Sequence, residues 1–239
     1  MKRAALDGAD RRRLYLFRHG AVDYVRPDGS WVEDPDAVPL NPRGREQAAH
    51  LAGAFADVAI DKAICSGLPR TLETATTVLG ERDISIGVHP ELEEIRPAKG
   101  EQSGGYDPVS DVAFSHWRAE DPESTFLGGE RYSDFYLRVT AEIERIVADE
   151  SWHNLAAFAH GGTNAAVLGW VTGLGASAFG LFDQQTCCLN VIDFDVRDGV
   201  VLRKTLRAVN ITSMDPMKSD RHASDMELLA KRLIKMGAT

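Results

Sequence analysis

Short, mostly apolar runs alternate with helix-period segments along this chain, and that alternation restricts its fold more than any other feature. Leu14 to Phe17, Lys62 to Cys65, Ser85 to Val88 and Leu155 to Ala159 are too short for helices and are bounded by turn residues. Runs of this kind are what strands buried on both faces look like. Between them, apolar residues recur at helical spacing. Ala48, Leu51, Ala52 and Phe55 follow an Asn41-Pro42 start signal, and Leu68 to Leu79 ends at Gly80. Glu130 to Asp149 carries Phe135, Val139, Ile143, Ile146 and Val147 on one side, and Thr163 to Val171 follows a glycine pair. Strand–helix alternation predicts an α/β fold, a three-layer sandwich whose mainly parallel central sheet is flanked by helices. Cys188 to Asp195 and Val200 to Val209 alternate around Arg197-Asp198-Gly199, which predicts a β-hairpin.

The 239 residues suit one large domain. Residues 1–12 read as a charged, flexible lead-in, 13–214 as the domain, and 215–239 as a helical tail. Inside the domain, residues 95–129 are irregular and rich in glycine, proline and acids, with a helix expected near Val109 to Ala119. A connection that long predicts a lid insertion. In the tail, Ser224 and Glu227 have capping-box spacing, and Met226, Leu229, Leu233 and Met236 form an apolar face. That face packs on its own domain in the simpler reading, and on a second copy, as a homodimer, in the other.

Composition removes several function classes. A net charge of −9 argues against nucleic-acid and anionic-membrane binding, which need a basic field. The three cysteines, Cys65, Cys187 and Cys188, show no CxxC spacing, so neither a disulfide framework nor a structural zinc site is expected. The opening MKRAALDGADRRR lacks the apolar core of a signal peptide. Together these predict a cytoplasmic location. The charge-free stretch from Asn154 to Phe182 contains His160, Thr163, Asn164, Thr172 and several glycines, and reads as a strand–turn–helix rather than a membrane span.

The chemistry-bearing residues sit at strand ends, where ligands collect in open parallel sheets. Arg18-His19-Gly20 follows the first strand, Arg70 enters a helix just after the second, and His160-Gly161-Gly162 follows a later one. Phosphoryl transfer needs cations and amides to hold spreading negative charge, a nucleophile if the route is covalent, and an acid for the leaving oxygen. Arg18, Arg70, His19 and His160, with a carboxylate from Glu91, Glu93 or Glu94, supply that set. Singly, each has a plainer role: a turn histidine, a solvated helix-start arginine, a charged surface stretch. Two His-Gly turns after two buried strands, with an early-helix arginine, together predict an anion site with a candidate nucleophile.

LYLFRHG resembles the signature of the histidine phosphatase superfamily, also called phosphoglycerate mutase-like. LNPRGREQA, SGLPRTLETA, LEEI, GGERYSDFYLRV and AHGGT resemble further segments of that family in the same order. The resemblance implies that His19 is the nucleophile, that Arg18 and Arg70 clamp the phosphate, and that His160 and Gly161 hold it from the other side. It implies Glu94 as the acid, because Leu92-Glu93-Glu94 fits the family's Leu-x-Glu, with Glu93 as the alternative. It implies no metal and no cofactor. The chain departs from the family after RHG, where Ala21, Val22 and Val25 stand at positions that are often polar. Mutases use those polar groups around the substrate's second anionic group, so the departures favour a phosphatase acting on a small phosphorylated metabolite. A phosphoglycerate mutase and a non-catalytic phospho-ligand module are the alternatives. Tyr106, Phe114, Trp117 and Phe126 in the lid are candidates to line a leaving-group pocket, or simply to pack the lid down.

Overall fold

Burial on both faces is what makes strands of the inner apolar runs; the run Ser85 to Val88 is instead an edge strand with Gly87 and Val88 exposed. In a computed structural model, which describes residues 3–5, 8–26, 30–98, 105–219 and 221–236, Leu14 and Leu16 face one core while Phe17 faces the other. The strands are β1 (Arg3–Ala4), β2 (Asp10–Arg18), β3 (Lys62–Cys65), β4 (Ile86–Val88), β5 (Asn154–Ala159), β6 (Leu189–Arg197) and β7 (Val200–Ile211). The helices are α1 (Pro42–Phe55), α2 (Pro69–Leu79), α3 (Tyr132–Ala148), α4 (Gly161–Thr172), α5 (Ala178–Leu181) and α6 (Asp225–Lys235). The sheet runs β4-β3-β5-β2-β6-β7, with β1 paired antiparallel to β2. Its first four strands are parallel. β6 and β7 add an antiparallel edge, joined by Asp198 and Gly199, whose φ values of 51° and 72° suit a hairpin turn.

The three layers follow from strand periodicity. Alternate residues of β2, β3 and β5 bury Phe17, Ala63, Cys65, Ala156 and Phe158 against Leu51 and Phe55 of α1 and Ala75 and Val78 of α2. The other face buries Leu16, Ile64, Leu155 and Ala157 against Phe135, Val139 and Ile143 of α3 and Val167 and Leu168 of α4. The expected α/β sandwich is therefore what forms. The three cysteines are buried free thiols, and among the described residues no helix is long and apolar enough to cross a membrane.

Two expectations need correction. β2 reaches back to Asp10, into the segment read as a flexible lead-in. Arg11 and Arg13 pair across β6 with Asp195 and Asp193, both at 2.7 Å, and those carboxylates also bind Arg203 and Arg207. Arg12, only 2% exposed, donates to the carbonyls of Val147 and Asp149 at the end of α3. In the lid, the single helix expected near Val109 to Ala119 is a wide π-type turn, Pro108–Ala113, followed by a 3-10 turn, Ser115–Arg118. The segment lacks a continuous apolar stripe: Val112 and Ala119 are buried, but Phe114 and Trp117 face solvent. Residues 99–104 of the lid fall outside the described residues. The tail helix α6 starts with its capping box made and packs Ala230 and Leu233, with Met226 and Leu229 partly buried, in one cluster with Val112 and Leu127 of the lid, so its own chain covers all of the expected apolar face but Met236, which is exposed.

Candidate active site

Parallel register brings the chemistry-bearing residues together. Arg18 lies opposite Ala159 on the adjacent strand, and the His19 amide donates to the Ala159 carbonyl at 3.1 Å. His19 and His160 therefore leave neighbouring strands at the same level, and their rings sit edge to face with centroids 5.1 Å apart. Ser66, just past β3, donates its amide to Phe158 O and shares a 2.8 Å hydrogen bond between its Oγ and His160 Nε2. Arg70 enters the group from the first turn of α2.

The glycines of RHG and PRG have a steric reason. A Cβ on Gly20 would lie 2.5 Å from the Gly44 carbonyl oxygen, and one on Gly44 would lie 2.2 Å from Ala21 O. The start of α1 thus docks directly on the loop that carries His19. That docking is completed by Asn41 N donating to Ala21 O and Ala21 N donating to Gln47 Oε1, both at 2.9 Å.

His19 is 2% exposed, and its Nδ1 donates to the Gly20 carbonyl at 2.7 Å. A carbonyl can only accept, so the proton is on Nδ1 and the lone pair of the neutral ring is on Nε2. Burial, then the positive fields of Arg70 and Arg18, hold the pKa of His19 well below the usual 6.5, so the ring stays neutral. Burial, Arg70, His19 and Arg18 do the same to His160. Arg18 Nε, Arg70 Nε and His160 Nδ1 are buried with no hydrogen-bond partner in the described protein. Leaving such a group unsatisfied costs about 1–3 kcal/mol each. All three belong to residues that act on His19, the arginines through their positive fields and His160 through its ring, and donors of this kind can receive an anion.

Glu94, and not its neighbours, joins this group. Its Oε2 accepts from the Gly162 amide at the start of α4, and its Oε1 accepts from Ile95 N, both at 3.1 Å. Glu93 instead pairs with Arg96 at 2.9 Å, and Glu91 is exposed with its carbonyl taken by Arg138. Gly161 packs on Arg18, where a Cβ would touch Cζ and Nε at 3.4 Å. No cluster of His, Cys, Asp or Glu able to hold a metal occurs among the described residues.

Several residues at the site were given no role by the sequence. Ser66 holds His160 as described. Tyr24 lies with its ring 5.7 Å from the Arg70 guanidinium carbon, and burial raises its phenol. Arg18 donates Nη1 to both the Gln184 carbonyl and the Asp225 carboxylate. In the lid, His116 shares a 3.0 Å hydrogen bond with Tyr132 OH and stacks on Phe126, and burial lowers its pKa to about 4. Of the four lid aromatics, Phe126 and Tyr106 pack inward, Tyr106 donating to Leu127 O, while Phe114 and Trp117 are exposed. Val22 and Val25 are both partly buried against apolar clusters, Val22 against the one that holds Phe17 and Val25 against the one that holds Val112.

A sequence profile of the histidine phosphatase superfamily (branch 1) matches residues 14–206. The chain belongs to the histidine phosphatase superfamily. An adenosylcobalamin/alpha-ribazole phosphatase of Escherichia coli is 27% identical over 201 residues, which is 83% of this chain and 98% of that protein. A 2-carboxy-D-arabinitol-1-phosphatase of Triticum aestivum is 24% identical over 240 residues, 97% of this chain and 47% of that longer protein. The crystal structure of the alpha-ribazole phosphatase from Shigella flexneri superposes with a TM-score of 0.66 at 28% identity, covering 83% of this chain and 96% of that one. A mycobacterial glucosyl-3-phosphoglycerate phosphatase shares the fold with a TM-score of 0.67 at 23% identity, covering 84% of this chain and 99% of that chain. In this histidine phosphatase the matched residues 14–206 include Arg18, His19, Arg70, Glu94 and His160.

Proposed function

We propose that this protein is a metal-independent phosphomonoester hydrolase that works through a phosphohistidine on His19. The observation that carries the reading is a neutral His19, its Nδ1 proton tied to Gly20 O, beside two buried arginine Nε atoms without partners. Arg18 and Arg70 bind the phosphoryl oxygens and neutralise their charge without reorganising. His160 Nδ1 and the amide at Gly161 hold the group from the opposite side. The Nε2 lone pair attacks phosphorus as the P–O ester bond breaks, and protonated Glu94 delivers its proton to the leaving oxygen. Glu94, now a carboxylate, takes a proton from water. The water oxygen attacks phosphorus, the N–P bond breaks, and phosphate leaves.

The substrate class follows the relatives, which are named for small phosphorylated metabolites with unlike leaving groups. A mutase must hold a second anionic group near the nucleophile loop. Val22 and Val25 present apolar side chains there, already used in packing, which favours hydrolysis. Buried free thiols suit a reducing cytoplasm. His19→Ala is expected to abolish turnover of an aryl phosphate with the fold intact, and the native enzyme to acquire an acid-labile phosphoryl label from substrate. Full activity in that variant, or a strict requirement for added metal after EDTA, overturns the mechanism.

A further inference from the structure

We infer that Asp225, from a segment beyond the superfamily-matched residues, is a positioning residue for the phosphate clamp, acting through Arg18. The inference rests on the reading of Arg18 as a phosphate ligand. The matched region ends at residue 206, yet the first residue of α6 reaches the site. Asp225 Oδ2 and the Gln184 carbonyl both accept from Arg18 Nη1. An arginine presents its donors in a rigid planar fork, so fixing Nη1 fixes the direction of the rest. With Nη1 held, Arg18 Nε remains buried without a partner, as do Arg70 Nε and His160 Nδ1.

Asp225 is itself held. Its Oδ1 accepts from Arg221 Nη2 at 2.8 Å, and Arg221 Nε donates to Asp183 at 3.2 Å. The chain Asp183–Arg221–Asp225–Arg18 therefore runs from the loop before β6, through the tail, and into the site. Ser224, one residue before Asp225, caps α6 and sets where that carboxylate emerges. Favourable fields from Arg18 and Arg221 outweigh burial and keep Asp225 ionised, so the pair is charged on both sides.

The chemical consequence is specific. Without Asp225, Arg18 retains its charge but loses the partner that aims it, and a misplacement near 1 Å costs on the order of 100-fold in rate. Gln184 O still holds one Nη1 proton, so we expect a smaller loss, on the order of 10-fold.

The test is a double-mutant cycle on the full chain, reading kcat/KM for an aryl phosphate and Kd for inorganic phosphate by calorimetry. Asp225→Ala is expected to lose about 10-fold in both, and Asp225→Asn, which keeps an acceptor oxygen in place, to recover part of that. In an Arg18→Ala background, Asp225→Ala should change either quantity less than about 2-fold. Wild-type kinetics in Asp225→Ala, tighter phosphate binding in that variant, or a full additional loss in the Arg18→Ala background overturns the assignment. Because phosphate binding is read without turnover, the cycle still measures the Arg18–Asp225 coupling in a protein that fails to hydrolyse, and that failure counts against the hydrolase reading alone.

Discussion

Gly162→Ala separates the acid from the clamp. The added Cβ would sit 2.4 Å from Glu94 Oε1 and 3.4 Å from Phe135 Cε1, with no backbone atom among its closest neighbours. Carbon and oxygen need a little over 3 Å, so the carboxyl group must retreat by roughly 1 Å, a displacement worth on the order of 100-fold where it carries proton transfer. That corresponds to about 2.7 kcal/mol of transition-state stabilisation. The fold should not suffer, because alanine is better than glycine in a helix by up to about 1 kcal/mol and α4 begins just before this position. The assay compares kcat/KM for an alkyl phosphate, whose leaving oxygen needs a proton, with that for 4-nitrophenyl phosphate, whose leaving group departs unprotonated. We expect a loss near 100-fold for the alkyl ester and only a few-fold for the aryl ester. For both esters kcat should fall, because hydrolysis of the phosphohistidine uses the same carboxylate as a base. Equal losses of kcat/KM on both substrates would move the damage to the phosphate clamp, and no loss on either would remove Glu94 from the role of acid.

Gly44→Ala places a Cβ 2.2 Å from Ala21 O, a backbone atom that cannot step aside, so this variant should lose 3 kcal/mol or more of stability, about the upper range for point substitutions, in a denaturant titration. Ser66→Ala leaves His160 Nε2 without its partner and should lower kcat on the order of 10-fold with little change in melting temperature, checked by steady-state kinetics and calorimetry. Acid stability should show the buried histidines. His116 has its folded pKa lowered to about 4 against 6.5 unfolded, so the unfolded state takes up a proton first; stability is full above pH 6.5 and declines toward pH 4, by up to about 3 kcal/mol from this residue. Unfolding of His116→Phe measured between pH 4 and 7 should show a shallower decline.

What was legible in the sequence follows a physical division. Strands buried on both faces announce themselves as apolar runs, so Leu14 to Phe17 and Leu155 to Ala159 could be read, and with them the residues that follow each strand end. The glycines at 20 and 44 belong to recognisable motifs because close backbone approach leaves no other residue type. Illegible were the features whose cause lies far along the chain. Arg11 and Arg12 read as part of a charged, flexible lead-in, since nothing local announces the buried Asp195 or the α3 carbonyls that receive them. The lid lacks a sustained period, so its two mismatched turns merged into one expected helix. Asp225 lies 207 residues from Arg18 and showed only as the residue after a good helix cap. A capping box states that a helix begins, not what its first carboxylate will meet. Once the fold is known the placement has a reason: α6 rests its apolar face on Val112 and Leu127 of the lid, and that contact sets its N-terminus beside the end of β2. The lid, the tail and the first arginine of the site are therefore joined by contacts: Val112 and Leu127 pack on α6, and α6 presents Asp225 to Arg18.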